Sequence, residues 1–230
     1  MKRIDYQIQS LSESIHQQFF QLAKNVLETE DELRSMINIR PLMGTSIMPF
    51  DGWAIDGLFA AKLIQILEEV QPELVLECGS GTSTVLVARY LKQNKNGQII
   101  ALEHKEQFVA STSRHLCRHE LDKVAEVIES PLREYSMDGH SRTWYDFDPD
   151  VYLEQNIDLL IIDGPPGNTS PLARYPAVPL LKSWLSSDGI ILLDDGNRED
   201  EKEIAEKWIK ELNATPEFHK EGKGIWIIRK

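Results

Sequence analysis

The apolar positions change rhythm along the chain. Ile8, Leu11, Ile15, Phe19, Leu22 and Val26 recur every three or four residues among Gln, Ser, Glu and Lys, the spacing of one stripe on an N-terminal amphipathic helix. Such a stripe is seldom left in water, so it either roofs the active-site side of the fold or packs against a second copy of the chain, and a homodimer through this helix is the expected arrangement. NIRPLMGTSIMPFDGWAIDG, residues 38–57, breaks every period with Pro and Gly and reads as an ordered loop. From Asp56 to Val70, the residues Phe59, Leu63, Ile66, Leu67 and Val70 mark a second amphipathic helix, which Pro72 ends.

Beyond Pro72, short apolar runs alternate with helical stretches. ELVLEC (73–78) is followed by a helix from Thr82, QIIALEH (98–104) by a helix from Lys105 to His119, and then comes VAEVIES (124–130). IDLLIIDG (157–164) precedes a helix over YPAVPLLKSWL (175–185), and GIILLDD (189–195) precedes a helix from Arg198 to Leu212. Apolar strands separated by helices are parallel βαβ units, so the predicted class is α/β, doubly wound, with helices on both faces of a mostly parallel sheet. In PEFHKEGKGIWIIRK (216–230), only Glu221, Gly222, Lys223 and Gly224 join two strand-like runs, too short a link for a crossover helix, and the sheet therefore ends in an antiparallel hairpin. The predicted organisation is an N-terminal helical extension and loop over 1–50 and a Rossmann-like domain over 51–230, with no internal repeat.

Composition narrows the chemistry. With 230 residues, 41% of them hydrophobic, the chain can bury a full core. Lys and Arg number 25 against 37 Asp and Glu, a net charge of -12, and such a surface repels polyphosphate, so no nucleic-acid partner is expected. Cys78 and Cys117 have neither metal-ligand spacing nor a disulfide framework, which fits a reducing compartment. No stretch reaches the roughly 20 apolar residues of a membrane span, and the first residues lack the apolar core of a signal peptide. A soluble, cytoplasmic protein is expected.

The turn ELVLECGSGTST, residues 73–84, carries the candidate chemistry. A dinucleotide fingerprint wants a third small residue where Thr84 stands, and Glu77 would oppose a pyrophosphate nearby. A nucleophile elbow built on Ser83 would need Gly where Val85 stands. A strand-to-helix turn that merely requires glycine is the third reading. A ligand with a cationic amino-acid end would welcome Glu77, and Glu103, at the end of the next strand, is where two carboxylate oxygens can accept both ribose hydroxyls.

At this point LVLECGSGTSTV, IIALEH, DLLIIDGPPG and GIILLDDGNREDE, in this order and followed by the strand hairpin, resemble a class I S-adenosylmethionine-dependent methyltransferase, in the group with a DGPPG turn near the catechol-type O-methyltransferases. The resemblance covers about residues 50–230, and GWAIDG with Trp53 is similar to that group's lead-in to the first strand. It implies a seven-stranded sheet of order 3-2-1-4-5-7-6 with strand 7 antiparallel, and S-adenosylmethionine above the carboxyl ends of strands 1, 2 and 4. It implies that Glu77, Gly79, Ser80 and Gly81 lie under the methionine and ribose, that Thr82, Ser83 and Thr84 offer donors at the helix start, and that Glu103 takes the ribose with His104 at the adenine edge. It further implies that Ser130, Pro131 and Leu132 border adenine, and that Asp163 faces the transferred methyl group.

The implied activity is methyl transfer to a small-molecule acceptor, an oxygen nucleophile by preference. An NAD-linked oxidoreductase and a non-catalytic S-adenosylmethionine-binding subunit are the alternatives. A hydroxyl acceptor must lose its proton, for which Asp163, Asp194, Asp195 and, more loosely, His140 are candidates, and Asp163 and Asp195 are the expected catalytic pair. In the catechol-type relatives a divalent ion is held by an acid ending strand 4 and an Asp-Asn pair ending strand 5. Here Asp163 and Asp195 match the acids but Gly196 stands where the asparagine should be, so no metal is expected, and Asp194 and Asp195 would cap the next helix or pair with Arg198. His115 and His119 read as helix-surface residues, and REDEKE (198–203) as a solvated first helical turn. The stretch 134–154, with Trp144, Tyr145 and Tyr152, is long for a plain connection and reads either as a lid or substrate wall or as cover for the sheet edge.

Overall fold

A computed structural model describes residues 2–43, 55–137 and 139–230, with side chains described from residue 15 onward except at 28 and 43. The elements are α1 (Lys2–Met43), α2 (Gly57–Val70), β1 (Leu74–Cys78), α3 (Thr82–Asn94), β2 (Gln98–Glu103), α4 (Glu106–Arg118), β3 (Ala125–Glu129), β4 (Leu132–Met137), β5 (His140–Tyr145), α5 (Pro149–Tyr152), β6 (Ile157–Ile162), α6 (Ala177–Leu181), β7 (Leu185–Leu193), α7 (Glu199–Leu212), β8 (Thr215–His219) and β9 (Ile225–Arg229). Seven strands form one sheet in the order β3-β2-β1-β6-β7-β9-β8. With the strands of that sheet counted alone, this is the expected 3-2-1-4-5-7-6, and β9 runs antiparallel to both β7 and β8.

The central strands are apolar on both faces because both faces are covered. Along β1, Val75 packs into a cluster with Phe59, Leu63, Leu67, Leu86 and Leu91, whereas Leu74, Leu76 and Cys78 point to the opposite side, among Trp144, Tyr145, Ile204 and Trp208. Parallel registry sets Cys78 opposite Leu102 of β2 and Ile162 of β6, and Ile162 opposite Leu193 of β7, so the carboxyl ends of four strands finish at one level. That shared edge is where the residues of the candidate site emerge.

Two local expectations need correction. Residues 38–43 are helical rather than loop, because α1 runs on to Met43 with Pro41 inside it, while 44–54, Trp53 included, lie outside the described residues. The end of α1 belongs to the core. Ile39 is buried against α2, and the Glu32 carboxylate accepts the amides of Gly57 at 2.6 Å and Leu58 at 3.3 Å, placing a negative charge at the N-terminus of α2 beside its Asp56 cap. The helix predicted over 175–185 shrinks to α6, and β7 begins at Leu185. Pro176 caps the start of α6, and its end is set by the sheet, since Leu185 already pairs with Ile157 and Trp184 O accepts the Ile157 amide at 2.7 Å.

Further along, 134–154 holds most of β4 and all of β5, which pair as an antiparallel hairpin outside the main sheet. Trp144 and Tyr145 are fully buried there and pack edge to face, 5.4 Å between ring centroids. The other end of the chain behaves differently. Ile15, Phe19, Leu22 and Val26 of α1 are 55–71% exposed, so within one chain the stripe roofs nothing; Ile8 and Leu11 lie outside the residues with described side chains. Among the described residues no helix is long and apolar enough to cross a membrane.

Candidate active site

The turn after β1 is built around Gly79, whose φ of +103° lies in the region that favours glycine. A Cβ there would meet the Gly164 amide nitrogen at 3.4 Å, because the turn after β6 passes directly beside it. Backbone bonds fix both turns: Gly79 N donates to Leu102 O at 2.9 Å, and Asp163 N and Gly164 N donate to Cys78 O at 3.0 and 2.7 Å. Gly164 is glycine for its own reason, since a side chain would strike the Tyr145 hydroxyl.

Beneath the turn lies Glu77. It is fully buried; Thr84 Oγ1 donates to its Oε2 at 2.5 Å, Ser83 also bonds to it, and Oε1 has no partner. Burial pushes its pKa up to about 7, and the bonds from Ser83 and Thr84 only partly counter that. The Thr84 hydroxyl in turn accepts the Gly81 amide at 2.9 Å, tying the glycine turn to the first turn of α3. Glu77, Ser83 and Thr84 thus form the floor under the turn and do not line the cavity above it. A hydrolase nucleophile at Ser83 has no access to substrate, since its side chain is buried against Glu77.

That cavity has a volume of about 690 Å³ and opens along the carboxyl edge of the sheet, a size that accommodates a nucleoside-sized ligand together with a small second molecule. Gly79, Ser80, Gly81 and Thr82 form one wall, and the Ser80 and Thr112 hydroxyls, 3.1 Å apart, join that wall to α4. Glu103 lines the cavity with Oε1 accepting the Lys105 amide at 2.9 Å. His104 Nδ1 stands 3.1 Å from the same oxygen without hydrogen-bond geometry, and burial lowers its pKa against the opposing pull of Glu103, so the ring is neutral. Ser130, Pro131 and Leu132, expected at the adenine edge, are not among the lining residues; Ser130 is buried and its amide donates to Glu103 O at 2.8 Å, which positions the end of β2 from behind.

Opposite Glu103, the ends of β6 and β7 bring Asp163, Asp194 and Asp195 together, each offering a carboxylate oxygen within 4.8 Å of the others. Between them is Arg174, 2% exposed, from the loop before α6. Its Nη2 donates to Asp195 Oδ2 at 2.7 Å and to Asp163 O at 2.6 Å, with Asp163 Oδ1 at 3.3 Å, and its Nη1 donates to Asp194 O at 2.8 Å. Glu201 Oε1 is 3.7 Å from Nη1, so this residue of the supposedly solvated helical turn is a buried member of the cluster. The expected pairing of Asp195 with Arg198 is present at 2.7 Å.

These neighbours set the charge states. Burial raises Asp163 to about 6; Arg174 draws it down, while Asp195 and Glu77 push it up. Burial, then the adjacent Asp163 and Asp195, raises Asp194 well above the usual carboxylate range. Burial works against the charged Arg174, but Asp163, Asp195, Glu201 and Asp194 more than offset it and raise its pKa. Arg174 had no signature in the sequence: a single arginine between DGPPG and a proline-rich stretch belongs to no spacing rule. Tyr145, Lys105, Phe108, Arg198 and Lys223 also line the cavity, and so do His115 on α4 and His119 at its C-cap, both expected on the plain surface.

A family profile described as a methyltransferase domain matches residues 76–196, from within β1 to the turn after β7. No curated protein matches the sequence. Among solved structures, this chain is similar to the S-adenosylhomocysteine-bound methyltransferase PaMTH1 of Podospora anserina, at 15% identity and a TM-score of 0.59 over 85% of this chain and 87% of that one. It is similar to TomG of Streptomyces achromogenes, an O-methyltransferase involved in tomaymycin synthesis solved with S-adenosylmethionine, at 13% identity and a TM-score of 0.56 over 77% and 81%. An O-methyltransferase from Bacillus cereus, in complex with S-adenosylhomocysteine, matches at 14% identity and a TM-score of 0.54 over 88% and 90%. With its glycine turn, acidic strand ends and sheet order at the positions this architecture requires, the chain belongs to the methyltransferase-domain family and has the fold of the class I S-adenosylmethionine-dependent methyltransferases.

Proposed function

We propose that the protein transfers the methyl group of S-adenosylmethionine to an oxygen of a small-molecule acceptor. The observation that carries this reading is the shared strand edge, at which the left-handed Gly79 turn, Glu103 and Asp163 open on one cavity. The residues suit the ligand: the Gly79 turn leaves room that a side chain would occupy, and Glu103 offers a carboxylate to a ribose. Bound there, S-adenosylmethionine would supply an activated methyl carbon on a sulfonium sulfur.

The chain's own residues then have three tasks. Gly79 through Thr82 orient the ligand along the cavity wall, and Glu103 fixes the ribose. Tyr145 and Pro166 line the same cavity as Asp163 and would limit the water around the reacting atoms. Asp163, with a pKa near 6, is ionised at neutral pH and takes the acceptor's hydroxyl proton as oxygen bonds to the methyl carbon and the carbon–sulfur bond breaks. Asp195, held by Arg174 and Arg198, supports the negative field around that step rather than accepting the proton itself.

The exposed seam of α1 fits a second copy of the same chain. Ile15, Phe19, Leu22 and Val26 keep the three- and four-residue spacing of a coiled-coil stripe, and a two-fold partner presents the same seam in return. Titrating S-adenosylhomocysteine and, separately, NAD into the purified protein by calorimetry tests the cofactor reading: binding of the first and not the second is expected, and the reverse refutes it.

A further inference from the structure

The resemblance to metal-using relatives invites a divalent ion between the ends of β6 and β7, and the three aspartates there are close enough to offer one oxygen each. The residues around them do not fit such an ion. Their space is taken by the Arg174 guanidinium, 2.7 Å from Asp195 and 3.3 Å from Asp163, where a cation would have to sit. Arg174 is not a visiting surface side chain. It is 2% exposed and also reaches main-chain oxygens at the ends of both strands, Asp163 O and Asp194 O. A hard divalent ion wants about six oxygens in a tight shell, and here the residue after Asp195 is Gly196, which brings no side-chain oxygen.

We propose that Arg174 is the built-in cation of this acidic pocket, doing by a fixed guanidinium what a divalent ion would otherwise do: holding Asp163 and Asp195 in place, balancing their charge and excluding metal. The inference rests on the methyl-transfer reading for its meaning, but its geometry is independent of it. Arg174 is a positioning residue, since its Nη1 and Nη2 groups donate to protein oxygens and act on the reaction through Asp163. A planar guanidinium with several fixed donors suits the task better than an ammonium, because it bridges two strand ends and two carboxylates at once. The arrangement also accounts for three acids converging on one point, since Asp163, Asp195 and Glu201 each present a carboxylate oxygen within 3.7 Å of the guanidinium, while Asp194 meets it through its main-chain oxygen.

The test uses the full chain and manganese(II) as probe, followed by electron paramagnetic resonance, with folding checked by circular dichroism. Wild-type protein and Asp195→Asn should bind the same amount of manganese, all of it at surface acids. Arg174→Met, which removes the guanidinium while keeping an unbranched apolar stem, should gain a bound manganese that Arg174→Met/Asp195→Asn loses. Two results overturn the proposal: a manganese bound to the wild type and lost in Asp195→Asn, or a folded Arg174→Met that gains none. Should Arg174→Met fail to fold, the wild type against Asp195→Asn decides. Failure of the methyltransferase reading would appear elsewhere, as absence of S-adenosylhomocysteine binding in metal-free buffer.

Discussion

Thr84 Oγ1 donates to Glu77 Oε2 at 2.5 Å and accepts the Gly81 amide at 2.9 Å, so one hydroxyl links the buried acid at the end of β1 to the turn above it. Thr84→Val would leave that oxygen and that amide without their partner. A loss of about 1–3 kcal/mol is expected, larger at pH 8 than at pH 5, as read from urea unfolding.

Glu77 itself makes stability depend on pH. Its folded pKa, about 7, lies above the ordinary value of 4.5, so between those values the folded state holds the proton more tightly than the unfolded chain. Its contribution is therefore present below about pH 4.5 and lost as pH rises to about 7, amounting to a few kcal/mol at most. Glu77→Gln should flatten that part of the curve in unfolding experiments at a series of pH values. An unchanged slope in the variant would show that another group carries it.

Glu103 sits at the cavity wall with Oε1 held by the Lys105 amide, which aims the carboxylate before ligand arrives. Removing it in Glu103→Ala should weaken S-adenosylhomocysteine binding by about 2 to 3 kcal/mol. Calorimetry measures this directly, and equal affinity would argue against a ribose at this position.

Gly79→Val combines two penalties: a β-branched residue at φ +103° and a side chain against the Gly164 backbone. Binding of S-adenosylhomocysteine should disappear even in protein that still shows the far-ultraviolet dichroism of the wild type. Gly167→Ala is the control, since its Cβ would meet nothing within 4 Å and the residue does not line the cavity.

The seam on α1 gives a test by mass. Phe19 is 71% exposed in a single chain, and Phe19→Glu together with Leu22→Glu should halve the molecular weight found by sedimentation equilibrium without lowering ligand affinity. A wild type that sediments as a monomer would remove the dimer.

Much of this architecture was legible in the chain because its signals are local. Strand runs such as DLLIIDG and GIILLDD are apolar on both faces, which only a sheet covered on both sides explains, and a four-residue link between the last two strands excludes a crossover. Gly79 and the acids at 77 and 103 could be placed from their distance to strand ends, since the carboxyl ends of parallel strands all open on one edge, whereas Asp163 is placed through the resemblance of DLLIIDGPPG. What the tertiary structure alone decided depends on contacts between distant segments. Glu77 belongs under the turn rather than in the cavity because Ser83 and Thr84 fold back onto it. Trp144 and Tyr145 are core because β4 and β5 pair off the main sheet. Arg174 and Glu201, ordinary charged residues in sequence, become a buried cluster because the loop before α6 and the first turn of α7 meet the ends of β6 and β7, where each charge finds its partner.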